Sequence, residues 1–288
     1  MKNLLVQLDS DPHASVFDRV VAVDAGADQV FSYGGVKAGD VRNLVYGAMF
    51  TRSPGDLHHT AVFIGGSDVA AGEALLEEAR QCFFGPLSVS LMMDSSGSNT
   101  TAAAAVLAAR KHLDLAGRRA LVLGGTGPVG QRAGRLLARE GAHVRVGSRS
   151  RQRAAKVCDA LRSRVGDANV EPCGTQEPRE LAAAIDGVEL VVAAGAAGVT
   201  LLPAGVRRAS PALRVAIDLN AVPPAGIEGV AAIDKGVEHD GVVCYGAIGV
   251  GGTKMKIHKA ALAKLFTAKD LVLDAEEIYE IGRELASG

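Results

Sequence analysis

Tryptophan is absent from this chain of 288 residues, and only 4% of the residues are aromatic. The four cysteines (Cys82, Cys158, Cys173 and Cys244) are scattered, without a CxxC pair or a metal-ligand spacing. That pattern is typical of reduced thiols inside a cell, and it argues against both a disulfide framework and a zinc site. We therefore expect a cytoplasmic protein with no metal centre.

Neither sign of charge is in excess, because 31 lysines and arginines stand against 32 aspartates and glutamates. This balance gives no bulk electrostatic reason to expect a nucleic-acid partner. No stretch approaches the roughly 18 consecutive apolar residues of a membrane-spanning helix, and the apolar run at the N-terminus is too short for a signal peptide. The sequence predicts a protein that binds neither nucleic acid nor a membrane. It is long enough for one large or two ordinary domains.

Glycine is plentiful, with 35 residues, and one group of glycines lies in an informative context. Gly125, Gly127 and Gly130 form a GxGxxG pattern. The apolar run 120–123 precedes it, a helical pattern follows it, and a second β-type run covers 143–146. In a βαβ unit this pattern predicts a dinucleotide site, with Gly125 allowing the tight turn, Gly127 admitting the pyrophosphate and Gly130 letting the helix pack closely. A βα turn that binds no cofactor is the alternative.

The residues after the second β-type run indicate which dinucleotide binds. An NAD site usually has an acidic residue there, but no acid occurs between Glu140 and Asp159, and the run contains Ser148, Arg149 and Arg151. Guanidinium and hydroxyl groups bind a 2′-phosphate that a carboxylate would repel. This favours NADP over NAD, and a solvated basic helix start is the alternative.

Strand and helix patterns alternate along the whole chain, which predicts an α/β fold with parallel or mixed sheets. Ser15 and Asp68 are predicted N-caps, and residues 274–277 match a capping box. A strand is expected over 87–92. After a glycine-rich run over 246–252, a basic helix is predicted from Lys254 to Phe266.

Polar side chains follow the strand predicted over 87–92 and open an alanine-rich helix. They are Asp94, Ser98, Asn99 and Thr100, with Ser98 or Asn99 as the expected N-cap. Loops at the carboxyl ends of strands are where α/β proteins bind ligands, so these residues are candidates for substrate contact. A well-capped linker helix is the alternative.

Four stretches together resemble the bacterial NADP-dependent methylene-tetrahydromethanopterin dehydrogenases. They cover residues 93–104, 124–130, 218–227 and 246–256, and the segments 15–18 and 266–279 also match. The resemblance implies an N-terminal α/β substrate domain (1–100 plus 253–288), a Rossmann NADP-binding domain (101–252) and an interdomain cleft. It also implies oxidation of a methylene-tetrahydropterin in one-carbon metabolism, by a homotrimer or homohexamer.

We assign site residues from this resemblance and from their positions in the chain. Lys256 and Asn99 are the catalytic candidates. The substrate-binding candidates are Asp94, Ser98, Asn99, Thr100, Lys254 and Lys256. The cofactor-binding candidates are Gly125, Thr126, Gly127, Pro128, Val129, Gly130, Ser148, Arg149, Arg151, Ala194, Gly195 and Asn220.

Three other functions fit the same patterns. One is a folate-specific methylene-tetrahydrofolate dehydrogenase, although the Tyr-x-x-x-Lys pattern associated with that family is not evident. Another is a different NADP-dependent dehydrogenase on the same two-domain plan, such as a shikimate-type enzyme. The third is a non-catalytic NADP-sensing protein, which would bind the cofactor and turn over nothing.

Overall fold

The computed structural model describes residues 1–287, and the chain divides into two compact units. One unit consists of residues 1–100 together with the chain from residue 255 onwards, and the other consists of residues 101–254. Both divisions fall inside helices, namely α4 (Ser98–Arg110) and α9 (Ala247–Lys264).

The first unit is built on a sheet of five parallel strands in the order β12-β4-β3-β1-β2. Its strands are β1 (Leu4–Asp9), β2 (Gln29–Tyr33), β3 (Thr60–Gly65), β4 (Ser90–Met93) and β12 (Val272–Leu273). Its further helices are α1 (Val16–Asp24), α2 (Ala38–Met49), α3 (Val69–Gln81) and α10 (Ala275–Ser287).

Alternation along these strands gives the sheet an apolar face. Val6, Val62 and Leu91 point to the same side and join a buried cluster with residues of α2 and α3, such as Val45 and Leu75. Because side chains alternate along a strand with period two, every second residue of β1, β3 and β4 enters this core.

The second unit contains a seven-stranded sheet in the order β10-β11-β9-β8-β5-β6-β7, in which only the β10–β11 pair is antiparallel. Its strands are β5 (Arg119–Leu123), β6 (His143–Ser148), β7 (Val170–Gly174), β8 (Leu190–Ala193), β9 (Val215–Asp218), β10 (Lys235–His239) and β11 (Val242–Tyr245). Its further helices are α5 (Pro128–Arg139), α6 (Arg151–Arg164), α7 (Pro178–Ile185) and α8 (Ala204–Arg208).

The α/β class and several local predictions are confirmed. Ser15 Oγ accepts a hydrogen bond from the Asp18 N–H at 3.2 Å, and the Asp68 carboxylate accepts from Ala70 N at 2.9 Å. The Glu277 carboxylate accepts from Asp274 N at 3.0 Å, as the capping box predicts. These devices are local in sequence, which is why the pattern was sufficient to find them.

Other predictions were wrong. Helix α9 begins at Ala247, well before Lys254, and ends at Lys264. A Cβ on Gly246 or Gly249 would collide with the backbone of residues 231–235, so these glycines serve close packing of a helix start. Strand β4 begins at Ser90, because Phe84 and Leu87 pair across a tight turn. Strands β10 and β12 were not predicted.

Within residues 1–287, no helix combines the length and the apolarity that crossing a membrane requires.

Candidate functional site

The glycine turn after β5 is built by four glycines. Gly124 has a φ of +70°, a conformation that side-chain-bearing residues rarely adopt. The tight turn therefore needs glycine at Gly124, which the sequence analysis did not name, and the role of Gly125 in this turn stays a prediction. A Cβ on Gly125 would lie 2.8 Å from Val146 Cγ1, so this glycine allows close packing against β6.

The other two glycines shape the start of α5. A Cβ on Gly130 would lie 2.5 Å from the Gly124 carbonyl oxygen, which confirms its predicted packing role. Gly127 is the N-cap, Pro128 follows it, and no side chain among the described residues caps this helix. The N–H groups of the first turn of α5 therefore have no side-chain partner at the cap, and together with the helix dipole they can bind an anion.

The order of the strands places this turn at the centre of the sheet. Strand β5 has β8 on one side and β6 on the other, so the chain order reverses there. In open α/β sheets, ligands bind outside the carboxyl ends of the strands at such a switch point. Gly195, which follows β8, approaches so closely that a Cβ on Gly124 would lie 2.5 Å from its Cα.

The residues after β6 form the neighbouring part of this edge. Ser148 is 8% exposed, and its Oγ accepts a hydrogen bond from Ser150 N at 3.2 Å. Ser150 in turn caps α6 by accepting from Arg153 N. Arg149 and Arg151 are exposed, and within residues 1–287 neither pairs with a carboxylate. Two uncompensated cations beside a helix start favour an anionic ligand.

The loop after β9 is held by a carboxylate that the sequence reasoning missed as a site residue. Asp218 is 1% exposed and accepts hydrogen bonds from Asn220 N at 3.0 Å and Ile227 N at 2.9 Å. Burial raises the pKa of this carboxyl, while the backbone N–H donors act in the opposite direction. Asn220 uses its amide within the loop, bonding Val222 N and Pro224 O. The pattern Asp218-x-Asn220 at the end of a buried strand could have indicated this carboxylate from the sequence alone.

In the first unit, Asp94 organises the loop after β4. Its carboxylate accepts from Asn99 N at 2.9 Å, Thr100 N at 3.1 Å and Thr100 Oγ at 2.6 Å. Asp94 therefore caps the start of α4, and the prediction of Ser98 or Asn99 as cap was wrong. The cap acts across an intervening 3-10 turn, Ser95–Gly97, in which Ser96 has a φ of +56°.

The structure brings these four polar residues together, and it buries them. Ser98, Asn99 and Thr100 are fully inaccessible, and Asp94 is 2% exposed. The Asn99 amide donates to Met93 O at 2.6 Å and to Asp274 Oδ1 at 2.9 Å, tying the ends of β4 and β12 together. They shape the carboxyl edge of the sheet, and their contact with substrate stays a prediction.

The two lysines of α9 are not brought together. Residues two apart on a helix project about 200° apart, so Lys254 and Lys256 point to opposite sides of α9. Lys256 is exposed, whereas Lys254 is half-buried. One ligand bound on one side of this helix would meet only one of them, so their joint contact with a substrate finds no support in the helix geometry.

No group of three or more His, Cys, Asp or Glu side chains in the described part of the chain is arranged to hold a metal ion. The glycine turn, the switch point and the parallel sheet define a Rossmann-type α/β fold. Solved structures support that fold. Quinate dehydrogenase from Corynebacterium glutamicum in complex with NAD matches with a TM-score of 0.51 at 17% identity, covering 98% of this chain and 99% of that one. A 5-ketofructose reductase of Gluconobacter sp. matches with a TM-score of 0.51 at 15% identity, covering 99% of each chain.

Sequence comparison assigns the chain to one family. Residues 16–96 match the model described as methylene-tetrahydromethanopterin dehydrogenase, N-terminal. The chain is 44% identical to "Bifunctional protein MdtA" of Methylorubrum extorquens over 287 residues, covering 99% of each chain. It is 35% identical, again over 99% of each chain, to an NAD(P)-dependent methylenetetrahydromethanopterin dehydrogenase of the same organism. This protein belongs to the methylene-tetrahydromethanopterin dehydrogenase family.

Proposed function

We propose that this protein oxidises methylene-tetrahydromethanopterin to the methenyl form with NADP, as a step of one-carbon metabolism. Methylene-tetrahydrofolate, which shares the reacting ring, is a second substrate of the same chemistry. The observation that carries the proposal is similarity over 99% of the chain to a relative named for this activity. The glycine turn and the basic edge of the second unit support the cofactor.

The second unit has the features that NADP binding requires. Gly124, Gly125 and Gly130 keep the turn clear of side chains, and the start of α5 directs N–H groups outward. Thr126, Pro128 and Val129 lie at this turn, and Ala194, Gly195 and Asn220 follow the neighbouring strands. We infer that these residues bind the pyrophosphate and the nicotinamide half. Ser148, Arg149 and Arg151 would hold the 2′-phosphate.

When bound, NADP supplies the hydride acceptor. The remaining chemistry needs few catalytic groups, because the cation left on the substrate is delocalised over N–C–N and no proton leaves the methylene carbon. No general base is therefore required, and the residues of the chain act by binding and orienting the pterin. We place this role in the first unit and on α9, with either Lys256 or Lys254 as the first candidate for contact and the buried Asn99 as a residue that holds the edge of the sheet in position.

We also propose that the protein is a cytoplasmic homo-oligomer, a trimer or hexamer. Val20 and Val23 project from α1 with exposed fractions of 56% and 58%, and Phe31 and Tyr33 project from the edge strand β2 with 46% and 43%. Apolar surface beside a sheet edge is a common interface between subunits. Light scattering coupled to size exclusion measures the mass directly, and a monomer at micromolar concentration would refute this part.

A steady-state assay tests the main proposal. The purified protein is offered methylene-tetrahydromethanopterin or methylene-tetrahydrofolate with NADP or NAD, and the methenyl product and reduced nucleotide are followed together. We expect both products to appear at equal rates, faster with NADP than with NAD. If NADP binds tightly and neither pterin is oxidised, the protein is a sensor or another dehydrogenase.

A further inference from the structure

An exposed aromatic side chain stands beside a carboxylate at the start of α1. Phe17 is 51% exposed, and the Asp18 side chain is 17% exposed. Helix α1 follows β1 directly, so its first turn lies at the carboxyl edge of the first unit's sheet. That edge is where ligands bind in parallel α/β structures.

Asp18 does not have the capping role that its position suggests. Ser15-x-x-Asp18 matches a capping box, in which the Asp18 carboxylate would accept the Ser15 N–H. That N–H is instead donated to Asp9 Oδ2 at 2.9 Å. The Asp18 carboxylate is turned towards the end of β3 and towards α9, where its Oδ1 lies 4.0 Å from His258 Nε2.

Two buried aromatic rings, His258 and Phe63, pack beside Phe17 and Asp18. His258 is 1% exposed, and its ring lies over Phe63 of β3 with centroids 5.9 Å apart and planes inclined by 25°. The Phe17 ring lies 6.2 Å from the same imidazole. Phe17 thus has one side against a packed aromatic neighbour, which limits its rotation, while half of its surface remains exposed.

Gly65 packs beside the Asp18 carboxylate and the Phe63 ring. A Cβ on Gly65, the last residue of β3, would lie 3.5 Å from Asp18 Oδ2 and 3.2 Å from Phe63 Cε1. A side chain at this position would therefore press against the Phe63 ring and come into van der Waals contact with the Asp18 carboxylate.

We propose that Phe17 and Asp18 bind the pterin ring of the substrate, an inference that rests on the proposed function. The 2-amino group and N3–H of a pterin are parallel donors, and a carboxylate accepts such a pair in the geometry by which it binds a guanidinium. Phe17 provides a π-face for the flat ring. A carboxylate also favours the cationic product, which a lysine at the same place would oppose. His258 is a positioning residue that supports Phe17 and Asp18.

Competition by two fragments tests the carboxylate contact without turnover of the fragments. Pterin carries the 2-amino group, whereas lumazine has an oxygen there. We expect the wild type to bind pterin about ten-fold or more tightly than lumazine, since a charge-assisted pair is lost. Asp18→Asn should abolish this preference and raise KM for the methylene substrate by about 10- to 100-fold. Phe17→Ala should weaken both fragments alike.

Matched controls exist in the same unit. Asp24→Asn removes the same charge from the far end of α1, where Asp24 pairs with Lys259 at 2.7 Å, and Phe50→Ala truncates another exposed aromatic residue after α2. Neither should alter fragment preference. If Asp18→Asn does not fold, Gly65→Ala and Phe17→Leu test the same site, and we expect both to raise KM.

The outcomes separate this inference from the proposed function. A wild type that oxidises the methylene pterin while Asp18→Asn keeps its KM and its preference for pterin would overturn the inference alone. A wild type that binds NADP but neither oxidises nor binds any pterin would overturn both. Loss of fragment preference in Asp24→Asn as well would show a general effect of charge and would also overturn the inference.

Discussion

Replacing Gly124 by alanine should damage the second unit in two separable ways. Its φ of +70° costs a residue with a Cβ about 1–2 kcal/mol. The new methyl group would also lie 2.5 Å from Gly195 Cα and 2.6 Å from Gly195 N, both backbone atoms that cannot rotate away. Overpacking of this kind costs about 1–3 kcal/mol. The sum is about 2–5 kcal/mol, a large part of a typical domain's stability.

Gly117 provides the matched control. It has a φ of +71° in the same unit, but a Cβ there would meet nothing within 4 Å. Gly117→Ala should therefore show the backbone cost alone, about 1–2 kcal/mol. The difference between the two variants measures the collision between the loops after β5 and β8.

Urea unfolding measures both free energies, and NADPH fluorescence measures binding. We expect Gly124→Ala to lose more stability than Gly117→Ala and to bind NADPH at least about ten-fold more weakly, since the turn that we propose binds the pyrophosphate must shift. Gly117→Ala should bind NADPH normally. Equal destabilisation of the two variants, or unchanged NADPH binding by Gly124→Ala, would refute the reasoning.

Two further predictions concern charge. Arg149→Ala should weaken NADP binding by about 1.5–3 kcal/mol and leave NAD binding nearly unchanged. Calorimetry with both nucleotides measures this, and Arg164→Ala at the far end of α6 is the control. Equal losses of affinity for NAD and NADP would contradict the proposed contact with the 2′-phosphate. Burial raises the pKa of Cys158, Cys173 and Cys244 from 9.0 to about 11. A raised pKa favours the folded state while the thiols are neutral, so this contribution is present below pH 9.0 and is lost as the pH rises towards about 11. Thiol labelling at about pH 8 should be much slower in the native protein than in denaturant, and equal rates would show that these thiols are not shielded.

The sequence was sufficient wherever the cause was local. Ser15 and Asp68 were found as N-caps because the hydroxyl or carboxylate bonds an N–H two or three residues away. The βαβ unit was found because the glycines, the helix and both strands lie within about 30 residues. The helix phase of Lys254 and Lys256 was also local, since residues two apart cannot share a face, and that check would have separated them.

The sequence was insufficient where contacts with a distant segment of the chain determine the local structure. Gly124 and Gly125 are adjacent and chemically identical, and only the position of Gly195 and Val146 shows which has the positive φ and which is packed. The glycines of 246–252 suggested a break before the helix, whereas Gly246 and Gly249 allow α9 to start against residues 231–235. Asp94 caps α4 across a turn that no capping pattern describes.

Asp18 shows how the failure of a local rule can indicate function. The pattern Ser15-x-x-Asp18 predicts a reciprocal cap, and half of it forms, because Ser15 Oγ accepts the Asp18 N–H. The other half is taken over by Asp9, a buried carboxylate at the end of β1 that also accepts the Asp11 N–H. A carboxylate that local bonding would hold at the helix end is thereby turned towards Gly65 and His258, beside an exposed aromatic ring. Sequences depart from their local rules most often at functional sites, and this departure is the reason to test Asp18 before either lysine of α9.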